Sequence, residues 1–165
     1  MLIFGLKETS DSWVDALQLW WEHARERFSH IKRLMIYLDN GPNNNGRRTQ
    51  FLKHMVQFAD WSGLEIRLVY YPPYHSKYNP VERCWSALER KWSGVLLNCV
   101  GFVLDCARRM TWRGQPPELH QLPCKNYPTG VKLTRKQMRP WEKRLERSPD
   151  IPRHDITIKP QAAVN

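Results

Sequence analysis

Apolar and polar residues follow one another along this chain in blocks that spell helix, strand, helix, strand, helix. Trp13, Leu17, Trp20, Trp21, Ala24 and Phe28 fall on one face of a helix that opens at the cluster Thr9-Ser-Asp-Ser12. Of the two adjacent tryptophans, one is expected in the core and one near the surface. Leu34 to Leu38 is a short, continuous apolar run closed by Asp-Asn-Gly-Pro, the pattern of a strand covered on both faces. A second helix is predicted from about Thr49 to Trp61, with Phe51, Leu52, Met55, Phe58 and Ala59 inward and Gly63 as its stop. Glu65 to Tyr71 reads as the next strand, ended by Pro72-Pro73. A third helix starts at Asn79-Pro80 and carries Val81, Trp85, Leu88, Trp92, Val95 and Leu96 as an apolar stripe, which predicts Trp85 and Trp92 in the core.

This alternation predicts an α/β layer with parallel strands, in which ligands gather beyond the carboxyl ends of the strands. Asp39 and the loop leading to Glu82 both fall there. After Trp112 the character changes, because Pro116, Pro117, Pro123 and Pro128 break up a stretch that ends in Gly130. Thr134 can start a helix that Pro140 must kink or restart, and Asp155 to Lys159 is a candidate terminal strand. The organisation expected is a domain over 1–112, followed over 113–165 by a Pro-rich connector and a basic extension.

Composition narrows the partner. With 41% hydrophobic residues and eight Trp, 165 residues can bury a core. The net charge of +10 and a pI near 9.7 favour a polyanion, which leaves nucleic acid or an acidic membrane surface. Lys132 to Arg147 holds seven basic and two acidic residues, so half the net charge sits in one short segment. No apolar run approaches the roughly 18–20 residues needed to span a bilayer, and Met1 to Leu6 lacks a basic leader. Cys84, Cys99, Cys106 and Cys124 show no CxxC and no disulfide-framework spacing, which predicts a cytoplasmic protein with buried or inert thiols. Cys99, Cys106, His120 and Cys124 lack the close ligand pair that anchors a zinc site.

Two carboxylates stand out by position. Asp39 closes the first strand, and Asp-Asn-Gly is also a turn signal in its own right. Glu82 lies in the first turn of a helix, where the dipole favours negative charge, and Asn79-x-x-Glu82 is also a capping box with Pro80 at the first helical position. Both local readings are compatible with a role as metal ligand. Hydrolysis of a phosphodiester near neutral pH is served by hard divalent cations, which take carboxylate oxygens from separate elements. Glu89, seven residues beyond Glu82 and on nearly the same helix side, is the alternative acid. Around them, Tyr74, His75 and Lys77 lie in a loop that interleaves rings with polar groups, suited to stacking on bases and holding phosphates. Arg47 and Arg48 follow the Asn-rich loop after Asp39, and Arg135, Lys136 and Arg139 lead the basic segment. Either set can touch a DNA backbone or serve as a solvated face.

Over most of its length the chain resembles the C-terminal part of ISAzo13-like DDE transposases, a branch of the IS630/Tc1-mariner type. The likeness is carried by Glu8-Thr-Ser-Asp11, Leu38-Asp-Asn-Gly-Pro42, Arg47-Arg-Thr-Gln-Phe51, Pro72-Pro-Tyr-His-Ser-Lys-Tyr-Asn-Pro80 and Thr157-Ile-Lys-Pro160. It implies an RNase H-like fold, with Asp39 and Glu82 as the second and third acids of the catalytic triad and a two-ion Mg²⁺ or Mn²⁺ site. It also implies transposon ends and target DNA as substrates, and full-length transposase or a second copy of the chain as protein partner. The acids before Asp39 are Glu8, Asp11, Asp15, Glu22 and Glu26, all at the start of a helix or within it. The first triad Asp therefore has no counterpart. The resemblance leads us to expect a fragment truncated at its N-terminus, with Leu2 to Gly5 left from an opening hairpin and an open sheet edge. Such a chain, inactive alone, is either a silent transposase piece or a DNA-binding or regulatory remnant.

Overall fold

The computed structural model describes residues 1–72, 75, 79–94, 96 and 99–161. They form two compact units, one of Met1–Leu6 with Tyr74–Pro123 and a larger one of Lys7–Pro73 with Cys124–Asn165. Pro73, Tyr74, Ser76, Lys77, Tyr78, Val95, Leu97 and Asn98 lie outside the described residues, as do 162–165.

The larger unit is a four-stranded sheet carrying helices. Helix α1 (Ser10–Ala24) starts where Thr9 and Ser12 cap each other: the Ser12 main-chain N–H donates to Thr9 Oγ1 at 3.1 Å, and the Thr9 N–H to Ser12 Oγ at 2.9 Å. Strand β2 (Arg33–Leu38) follows β1 (Leu2–Phe4) of the smaller unit in chain order, then come α2 (Thr49–Ser62) and β3 (Glu65–Tyr70). Gly63 closes α2 in the left-handed region at φ 71°, as its missing Cβ allows, and its N–H reaches the Ala59 carbonyl at 3.0 Å. Later in the chain come α5 (Arg135–Glu142), β5 (Leu145–Arg147) and β6 (Asp155–Ile158). α5 runs through Pro140 without a restart. The helix ends two residues later, so the one main-chain bond that proline cannot donate costs it little.

The strand order is β2-β3-β6-β5. Only β2 and β3 run parallel, and the C-terminal hairpin β5–β6 adds antiparallel to β3, which corrects the all-parallel expectation. Leu38, Ile66, Leu68, Tyr70, Ile156, Ile158 and Leu145 form the buried face beneath α2, whose Phe51, Leu52, Met55, Val56, Phe58 and Ala59 are all at most 1% exposed. Burying each large side chain among them contributes about 1.5–3 kcal/mol. Trp13 meets Phe51 edge to face at 5.4 Å, Trp21 is buried, and Trp20 packs partly exposed on the same core.

Strand β2 is covered on one face, not two. Met35 and Tyr37 are 39% and 53% exposed on the opposite face. That face is held by charge pairs across strands: Arg33 with Glu65 at 2.5 Å, Arg67 with both Asp155 oxygens at 3.0 and 2.7 Å, and Lys159 with Glu146 at 2.7 Å. β2 also forms one edge of the sheet.

In the smaller unit, β1 (Leu2–Phe4) pairs in parallel with β4 (Leu119–Gln121). Helices α3 (Val81–Trp92) and α4 (Val100–Arg108) pack around Ala87, Leu88, Ala107 and Met110. This core is small. Trp92 packs against it, but Trp85 and Val81 are 41% and 42% exposed and Leu96 is 80% exposed, so the stripe expected to be buried is largely at the surface. Val95 lies outside the described residues. The four cysteines are free, Cys106 buried, Cys84 partly covered, Cys99 and Cys124 exposed. Among the described residues no helix is long and apolar enough to cross a membrane.

Candidate active site

Asp39 is the residue at which β2 gives way to its loop, and the loop is built to hold it. The Tyr71 N–H donates to the Leu38 carbonyl at 2.9 Å, extending the β2–β3 ladder to the strand end. Asn40 then takes the left-handed region at φ 65°, which asparagine tolerates better than most residues. Asp39 Oδ1 accepts from the Gly41 N–H at 3.3 Å and from the Asn44 side-chain amide at 3.2 Å. The turn reading of Asp39 is thus realised, and the side chain is still exposed to solvent. Only Oδ1 is engaged among the described residues.

Each asparagine of the run 43–45 has a separate job. Asn43 donates to the Glu8 carbonyl at 3.1 Å, and its own carbonyl accepts from Ser10 Oγ at 2.7 Å, which ties the loop to the start of α1. Asn44 is 7% exposed, and its carbonyl accepts from the Tyr70 hydroxyl at 2.9 Å. Burial pushes the Tyr70 hydroxyl far up from its ordinary value, and the nearby Arg147 charge only partly offsets this, so it remains a neutral donor. Asn45 donates to the Gly41 carbonyl at 3.0 Å and accepts from the Arg47 N–H at 3.1 Å. Asn44 Oδ1 is buried without a hydrogen-bond partner among the described residues.

Glu82 is in the first turn of α3 in the smaller unit and is exposed. The residue at its N-cap position, Pro80, offers no side-chain cap. Asn79 Oδ1 accepts from the Val81 N–H at 3.3 Å, and the Glu82 N–H goes to the Asn79 carbonyl at 3.1 Å, so the capping-box reading is not realised and the Glu82 carboxylate is not folded back on Asn79. Glu89 is exposed on the same helix.

The basic candidates fall into different settings. Arg47 is exposed, whereas Arg48 is partly buried and its Nε reaches Ser10 Oγ at 3.4 Å, bracing the loop to α1. Arg135, Lys136 and Arg139 are exposed on α5 and line a groove of about 1000 Å³ with Leu133, Met138 and Thr49. His75 is exposed, and Tyr74 and Lys77 lie outside the described residues.

Chemically, an exposed carboxylate on a braced loop at a strand end and a second in the first turn of a helix are hard oxygen donors of the kind Mg²⁺ and Mn²⁺ take. A family model described as Rhodopirellula transposase DDE domain matches residues 3–160. Neither a curated protein nor a solved structure matches the chain.

Proposed function

The chain belongs to the Rhodopirellula transposase DDE domain family, and from that premise we propose that Asp39 and Glu82 are two of the carboxylates that hold divalent metal at a DNA phosphodiester. The reading is carried by the Asp39 loop. Asn44, Tyr70, Asn43 and Ser10 immobilise it from two neighbouring elements while the carboxylate stays exposed, which is more than a surface turn requires. The donor chemistry fits Mg²⁺ or Mn²⁺. A divalent cation bound there supplies an activated water and neutralises charge on the leaving oxygen.

The finer reading is an RNase H-like catalytic domain of the IS630/Tc1-mariner type, acting on transposon ends and target DNA in the cytoplasm. Among the described residues no acidic side chain lies on a strand before Asp39, since β1 is Leu2–Phe4. In this reading the described residues offer two acids, Asp39 and Glu82, where such chemistry uses three, and the chain alone binds DNA without cutting it. In that state it acts as a DNA-binding or regulatory piece, alongside full-length transposase or a second copy. The +10 charge and the exposed Arg135, Lys136 and Arg139 favour this binding role.

The test is nicking of supercoiled plasmid in Mg²⁺ or Mn²⁺ by the chain, Asp39→Asn and Glu82→Gln, with a mobility shift in parallel. A shift without nicking is expected from all three. Nicking lost in both variants keeps the carboxylate assignment and overturns inactivity; nicking kept in both overturns the assignment.

A further inference from the structure

In the unit that holds Asp39, the loop after β2 and the β5–β6 turn enclose a cavity of about 440 Å³ lined by Asn40, Asn45, Gly46, Arg47, Arg153 and His154. We propose that this cavity binds a phosphate of a nucleic-acid strand, held by Arg47 and Arg153 with the Asn40 amide, one residue along the chain from Asp39. The inference rests on the nucleic-acid reading above and adds a binding subsite to it.

The two walls are locked together. Gly46 packs so closely on the β5–β6 turn that a Cβ there would overlap the main-chain oxygen of Arg153. Arg147 places one guanidinium nitrogen, Nη1, on the Gly46 carbonyl at 3.1 Å and on the Pro152 carbonyl at 2.9 Å, joining both walls. Its remaining donors face Glu142, with Nε at 2.6 Å from Oε1. The His154 carbonyl accepts from the Tyr70 N–H at 2.8 Å, so the turn is also pinned to β3. The main chain of Arg153 is thereby fixed against the loop that carries Arg47, and both residues line the cavity although 106 positions separate them.

Charge then identifies the ligand. No carboxylate lines this cavity, and neither Arg47 nor Arg153 takes part in an ion pair among the described residues. The cavity on the charged sheet face differs, since Glu65, Glu146 and Asp155 there neutralise Arg33, Lys159 and Arg67. Two unneutralised guanidiniums beside the Asn40 amide in one recess suit a tetrahedral oxyanion, because guanidinium forks match phosphate oxygens.

The experiment is the salt dependence of binding to a fluorescent oligonucleotide by the full chain, an R47A/R153A variant, and an R27A/R113A variant that removes the same charge elsewhere. Gly46 and Arg147 are untouched, and circular dichroism checks that each variant folds. The subsite predicts that log K against log salt loses about 1.5–2 units of slope in R47A/R153A and keeps its slope in R27A/R113A. Equal slopes in both variants, with the parent binding, overturn the subsite and leave the nucleic-acid reading intact. A parent chain that does not bind overturns both.

Discussion

The Tyr70 hydroxyl donates to the main-chain oxygen of Asn44 at 2.9 Å, so the last residue of β3 holds the residue whose amide orients Asp39. Tyr70→Phe keeps the ring in the core and leaves the buried Asn44 carbonyl without its partner. The expected loss is about 1–2 kcal/mol in urea unfolding. The unchanged packing should leave the far-ultraviolet circular dichroism as it is.

Gly46→Ala should cost more than its single methyl suggests. The methyl meets main chain at Arg153, which cannot rotate away as a side chain would. A loss of about 1–3 kcal/mol follows, the range for inserting atoms into a packed site, and urea titration of the variant measures it.

Acid should unfold the larger unit by way of its paired carboxyls. Partial burial pushes the Asp60 carboxyl up, but the hydrogen bonds from Arg144 and the Gln161 main chain, with the Arg144 charge, outweigh it, so it titrates below the ordinary carboxylate value. The Arg67 hydrogen bond draws Asp155 down in the same direction, against an opposing effect of burial. A carboxyl whose folded pKa is the lower one stabilises the fold above its unfolded value, about 3.9, and loses that contribution as pH falls through the folded value. Thermal melts should therefore hold steady from about pH 7 to 5 and drop below about pH 4. Arg144→Gln should lower stability by about 1.5–3 kcal/mol at neutral pH and make the acid limb shallower.

What the sequence made legible was local. Thr9 and Ser12 announced the start of α1, Gly63 the end of α2, and the Asp39 and Glu82 positions followed from the elements they terminate or begin. An all-apolar run such as Leu34–Leu38 hides its own alternation, because Met35 and Tyr37 look as inward as their neighbours. The α3 stripe misled for a related reason: periodicity names a face, and the small core around Leu88 and Met110 takes in Trp92 but leaves Trp85 41% exposed. Long-range pairing was invisible. Nothing local at residues 2–4 points to 119–121, and helix α4, with Gly101 in its first turn, gave no strong signal. Arg153 was one arginine among many until Gly46 and Arg147 placed it beside the Asp39 loop.

The assignment of Asp39 and Glu82 as metal ligands is tested most directly by titrating Mn²⁺ into the full chain and counting free ion by electron paramagnetic resonance. Asp39→Asn and Glu82→Gln are compared with Asp105→Asn, an exposed acid on α4 that pairs with Arg108. Ligation by these two acids predicts binding by the parent and by Asp105→Asn, weakened by at least about tenfold in each of the other two. Equal binding by all four proteins would contradict it.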